Sequence, residues 1–266
     1  MNANTYAEIT PEQPQNLDWF LIQIFGFRDF AALCFGLPLP LRHIELTSRL
    51  PIDPMAERGR VRLFFRAAEM QPTKGLVAVY PIIPFNLVKD QTTDILSAWA
   101  EVKASLKDTI YLINVILYTP FLHIEDRFLL TMQAFEAFER KINPRNLISD
   151  EEFKKLRSML MASIPAGAPG KIRQKMDSVI KFANEPSLRQ RLRSFYDNLE
   201  KSPGDTPMGL QKANINKIVN TRNWYTHYPS QFGGKILESL EIHEETDRFC
   251  LLLIMAILDK LRPVRA

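Results

Sequence analysis

The sequence predicts a mainly α protein, a helical bundle over residues 91 to 266 preceded by a small α+β segment over residues 1 to 90. Three observations carry this. From about Thr93 onward apolar residues recur at helical period over long stretches. Between residues 42 and 80, short runs of β-forming residues lie between turn-like segments. Pro81 and Pro84 mark the change from one texture to the other. With 266 residues, 46% of them hydrophobic, the chain can build a proper core as one large domain or two small ones.

The elements follow in order. Roughly the first ten to fifteen residues are polar and predicted to be loose. Leu17 to Phe35 is apolar enough for a buried helix, and Arg42 to Ser48 and Arg60 to Ala68 read as strands, with Gly75 to Tyr80 a third. A long helix is expected from about Thr93 to Tyr118, stopping before Pro120, and another from about His123 to Lys141, stopping before Pro144. Ser149, followed by Asp150, Glu151 and Glu152, supplies the cap and acidic first turn of the next, which ends before the PAGAPG loop at 165 to 170. Shorter helices are expected at about Lys171 to Ala183 and Pro186 to Leu199, then a loop at 201 to 207. One helix runs into the stretch TRNWYTHYP at 221 to 229, and a last one spans about Gly234 to Leu261. Its LLLIMAIL run, 251 to 258, reads as core or dimer seam.

Charge and cysteine usage narrow the class. The formal net charge is +4, and the basic excess sits between Arg140 and Lys201 in KKLR, KIRQK and RQRLR runs. Such runs are the wet faces of helices or a surface for an acidic partner. Cys34 and Cys250 each lie in an apolar run and read as core thiols of a reducing compartment. The start MNANTYAEITPEQPQ lacks the basic-then-apolar pattern of a secretory signal, and the apolar runs fall short of the ~20 residues that cross a bilayer. A cytoplasmic protein without a membrane partner is expected. No HExxH, paired CxxC or Gly-rich loop is present, so no metal or other cofactor is expected.

The stretch at 221 to 229 places Arg222, Asn223 and His227 near a helix end. An arginine four to six residues before some histidine occurs about once by chance in such a chain; requiring a polar residue directly after it lowers that to about a tenth. Cleaving RNA without a metal needs a base for the 2'-hydroxyl proton, an acid for the leaving oxygen and a cation on the phosphate. An imidazole titrates near neutral pH, and Pro229 disfavours helix at Tyr228, so His227 belongs at a helix C-terminus, where the dipole favours imidazolium. Arg222 offers a planar fork to a phosphate. Asn223 and His227 share a helix face, and Arg222, about 140° around the axis, reaches across on its long stem. From the residues alone, a solvated histidine at an ordinary helix end is the favoured reading over a catalytic site. With one motif per chain, acid and base require two protomers across a two-fold axis.

Two further stretches bear on the motif: HIEDRFLLTMQAFEAFERK at 123 to 141 and FNLVKDQTTDILSAWAEVKASLKDTIYL at 85 to 112. Together with Arg222, Asn223 and His227 they resemble the HEPN superfamily, and more narrowly the ApeA-like HEPN proteins of bacteria, over residues 91 to 266. The resemblance implies an HEPN-like helical bundle acting as a metal-independent endoribonuclease, homodimeric, leaving 2',3'-cyclic phosphate ends in phage defence, with RNA (tRNA among the candidates) as substrate. It implies that Arg222 and His227 are catalytic with Asn223 as polar companion. Glu136 either supports the motif or pairs with Arg140 on its own helix. Trp224 and Tyr225 either stack on a base or pack, and the basic helices, Arg189 and Arg193 included, guide RNA. The family's N-terminal domain is larger and β-rich, so residues 1 to 90 are expected to be a shortened form. A non-catalytic HEPN adaptor that binds RNA or a protein is the alternative, and a ligand-sensing N-terminal segment a weaker one. His43, His123 and His243 read as structural or exposed, Trp19 and Trp99 as core.

Overall fold

The computed structural model describes residues 7–41, 43–48, 59–63, 81–84, 89–119, 121–201, 212–229 and 233–261. Residues 1 to 6, the expected strand stretch 64 to 68, the expected third strand at 75 to 80 and the expected loop at 202 to 207 lie outside them. The fold is mainly α, with a two-stranded sheet near the N-terminus, as the sequence predicts. Two compact units emerge: residues 1–121 with 254–266, and residues 122–253.

In the first unit α1 spans Leu17–Phe35. Its ends are written in the sequence. The Asn16 side chain accepts from the Trp19 N–H at 2.9 Å, and Gly36 closes the other end in the left-handed region, φ 63°. There the Leu37 and Gly36 amides donate to the carbonyls of Ala32 and Leu33. The conformation favours glycine, and a Cβ there would also stand a tight 3.1 Å from the Ile82 side chain. β1 (Ile44–Ser48) pairs antiparallel with β2 (Gly59–Leu63), Ile44 opposite Leu63.

The single helix expected from Thr93 to Tyr118 is two, α2 (Thr92–Ser105) and α3 (Lys107–Tyr118). Leu106 leaves helical geometry at φ −108°, ψ 25°, although its amide still donates to Val102 and its carbonyl still accepts from Ile110. The break is one buried residue wide and contains no proline or glycine to announce it. Trp99 of α2 is buried, and its indole N–H donates to the Gly26 carbonyl at 3.0 Å, locking α2 to α1.

In the second unit, α4 (Ile124–Ile142), α7 (Leu188–Lys201) and α8 (Ile215–His227) pack together. Phe135 of α4 meets Phe195 of α7 and Phe249 edge-on, at 5.2 and 5.7 Å, and is fully buried. α5 (Asp150–Ala162) and α6 (Gly170–Lys181) form a hairpin tied by Arg157–Asp177 at 2.6 Å. α5 starts with the expected Ser149 cap, completed by Glu152 as a reciprocal box. Helix α9 spans Ser239–Asp259, five residues later than the expected start at Gly234. The residues before it are committed elsewhere: the Lys235 carbonyl accepts from Asn220 and the Leu237 amide donates to Thr221. In the LLLIMAIL run, Leu252, Leu253, Ile254, Ile257 and Leu258 are buried, and so are both cysteines. Burial pushes each thiol up to about 11, which keeps it protonated and inert at neutral pH. No helix among the described residues is long and apolar enough to cross a membrane.

Candidate functional site

Helix α8 carries the motif, and its first two turns are fastened on several sides. Asn214, just before it, donates to the buried Glu245 carboxylate at 2.8 Å, and Lys217 pairs with Glu241 at 2.6 Å. Thr221 is fully buried; its hydroxyl donates to the Lys217 carbonyl and accepts the Leu237 amide, both at 2.8 Å. Asn220 adds a bond to the Lys235 carbonyl at 3.0 Å. The segment 235 to 237 is thereby pinned along α8 immediately before the motif. Sequence reasoning missed Thr221 and Asn220 as positioning residues, because their partners lie about fifteen residues downstream and no local pattern announces them.

Arg222 joins α8 to α4. Its guanidinium donates to Glu136 Oε1 of α4 at 3.1 Å and, more loosely, to Asn223 Oδ1 at 3.4 Å. The paired side chains are 28% and 21% exposed, which makes this a partly sheltered pair rather than a surface one. The two bonds engage two of the five N–H donors a guanidinium carries, so others remain for a phosphate. Of the two readings of Glu136, contact with the motif is what the structure shows. Arg140 turns instead to Glu185, at 3.2 Å.

Beyond Arg222 the helix opens to solvent. Asn223, Trp224 and Tyr225 are half-buried, while Thr226 and His227 are exposed. Burial, with the nearby charge of Glu125 and the Tyr228 ring, pushes the Tyr225 phenol above its ordinary range. Helix α8 ends at His227, as the sequence predicts: Tyr228 follows in the left-handed region at φ 41°, ψ 56°, its amide donating to the Trp224 carbonyl at 2.8 Å. It is the sole positive-φ residue other than glycine among those described. Tyr225 and Tyr228 meet edge-on at 6.4 Å. Among the described residues no hydrogen-bond partner holds the His227 ring, which leaves it available to a ligand.

The remaining candidates divide. Arg193 is exposed on α7, whereas Arg189 is half-buried with its Nε unpaired among the described residues. Between them Arg191 is 4% exposed, bonded to the Pro186 carbonyl and near Glu185, so it serves the core. His43, His123 and His243 are exposed, and Trp19 is half-buried rather than core. Among the described residues no three His, Cys, Asp or Glu side chains gather as metal ligands would.

Comparison with known families agrees with this architecture. The family model described as Apea-like HEPN matches residues 129–262, which include most of α4, all of α8 and all of Arg222 to His227. A second, described as ApeA N-terminal domain 1, matches residues 1–99. No curated protein and no solved structure gave a match. A helical second unit built on α4 and α8, matched over half the chain, makes this protein a member of the Apea-like HEPN family.

Proposed function

We propose that the protein is an endoribonuclease that works without a metal, with His227 as the proton-transfer group, Arg222 as the phosphate holder and Asn223 as the orienting amide. HEPN domains are generally nuclease-like, and defence against phage is the setting this family suggests. The 2'-oxygen attacks the neighbouring phosphorus, its proton passing to a base. The bond to the 5'-oxygen breaks with protonation of that oxygen, leaving a 2',3'-cyclic phosphate. One imidazole does not serve as base and acid in the same turnover, so two protomers pool their motifs in a homodimer. Arg193 and the basic faces of α5 and α6 draw in RNA electrostatically. Trp224 and Tyr225 are the nearest rings for a base to stack on. In this reading residues 1 to 90 and 91 to 266 are separate working parts of a cytoplasmic protein.

The observation that supports the reading is the contrast within one helix end: a guanidinium braced by Glu136 and, one turn later, an exposed imidazole. Such bracing lowers the entropy lost when a phosphate is gripped. The same ion pair also favours a second reading, a non-catalytic adaptor in which Arg222 only joins α8 to α4. RNA cleavage in EDTA, followed by detection of cyclic-phosphate ends, separates the two. Wild type is expected to cleave while His227→Ala and Arg222→Ala do not. Equal cleavage by all three defeats the nuclease reading, and RNA binding by all three with no cleavage selects the adaptor.

A further inference from the structure

The first unit contains a cleft of about 1190 Å³ between α1 and the α2–α3 pair, somewhat larger than the usual small-molecule site. Its walls carry aromatic faces: Trp19 and Phe27 from α1, Trp99 from α2, Tyr111 from α3. At its rim large apolar side chains stand in water, Ile22 66% and Tyr111 67% exposed.

The polar groups of the cleft are few and unbalanced. Asp29, 7% exposed, receives Arg28 at 2.8 Å and Lys103 at 3.0 Å. The Arg28 guanidinium also lies against the rings of Phe25 and Tyr118, 4.9 and 4.6 Å from their centres, which fixes it in place. Lys107 is a third cation on the lining, and Asp29 is the one carboxylate among the described lining residues. Three cations against one carboxylate leave an excess of positive charge beside low-dielectric walls, where an anion is strongly favoured. Asn114 lines the same cleft, and its buried Oδ1 has no hydrogen-bond partner among the described residues, an acceptor awaiting an N–H or O–H.

We propose that this cleft binds a small organic anion with a flat, apolar body and an N–H or O–H donor. The rings stack on the aromatic walls, the anionic group meets Lys103, Lys107 and Arg28, and the donor satisfies Asn114. The site stands on first-unit residues alone and does not depend on the nuclease reading.

The test is a fluorescence titration of the full chain with two dyes of matched ring system: 1-anilinonaphthalene-8-sulfonate and its uncharged analogue N-phenyl-1-naphthylamine. The sulfonate is expected to bind one per chain, about tenfold or more tighter than the amine, because a charge-assisted contact adds to the same apolar burial. Lys107→Glu, at an exposed position, is expected to weaken the sulfonate about tenfold while sparing the amine. Ile22→Glu, on the exposed rim, is expected to weaken both. Circular dichroism of each variant confirms folding, and neither readout involves His227. Equal affinity for the two dyes, sulfonate binding untouched by both substitutions, or no sulfonate binding to wild type overturns the proposal.

Discussion

Helices α4 and α5 present the same amphipathic texture in sequence, yet α4 buries seven side chains, from Phe128 to Glu139, and α5 buries none. Leu156, Met159 and Leu160 of α5, with Ile172, Met176 and Val179 of α6, remain in water. Periodicity tells which face of a helix is apolar; only tertiary partners tell whether that face is covered. The difference explains where the motif sits. Its helix is fastened to α4 and α7, the well-buried part of the second unit, while the basic hairpin α5–α6 contributes charge without scaffolding.

Four measurements break or sharpen that contrast, the largest effect first. His227→Ala is expected to lower RNA cleavage by about 10²–10⁴-fold with no change in melting temperature, since the ring is exposed. A large loss of stability would instead place the ring in the scaffold. Phe135→Ala, fully buried on α4, is expected to cost about 3–5 kcal/mol in urea unfolding, against less than about 0.5 kcal/mol for Met159→Ala, 69% exposed on α5. Similar costs for the two would mean the hairpin is covered in solution. Thr221→Val is expected to cost ~1–3 kcal/mol by stranding the Leu237 amide, and to lower cleavage by loosening α8.

The smallest effect concerns Glu139, buried on α4, whose carboxyl is pushed up by desolvation although Asn143, Arg145 and Arg191 pull it back. A carboxyl raised on folding favours the folded state while protonated, and that contribution is lost as pH rises through its folded value. Glu139→Gln is therefore expected to be slightly more stable than wild type at neutral pH, the gap closing as pH falls towards the ordinary glutamate range. A gap that widens on acidification would reverse the sign of this account.

What was legible in the sequence follows the range of the forces involved. α1 covers the apolar run that predicts it, Leu17–Phe35, and α5 begins after the Ser149 cap, because a cap acts over three or four residues. The end of α8 before Pro229 is legible for the same reason. The break at Leu106 was not, since neither proline nor glycine marks it and Ala104, Leu106 and Lys107 are themselves good helix formers. The late start of α9 was not, since Thr221 and Asn220 claim the backbone at 235 to 237 from a distant helix. At the candidate site, spacing singled out Arg222, Asn223 and His227. Arg140, four residues from Glu136, was the partner local rules offered, and 86 residues separate Glu136 from the one it has.

Tyr228 holds a backbone conformation that a non-glycine residue adopts at a cost of roughly 1 kcal/mol or more, between the imidazole and Pro229. The reach of that imidazole into water is thus a product of punctuation. Replacing Pro229 with alanine would free Tyr228 to turn right-handed and let the coil run on past His227, converting a terminus into a mid-helix position. A glycine at 228 would keep the stop while shedding the strain.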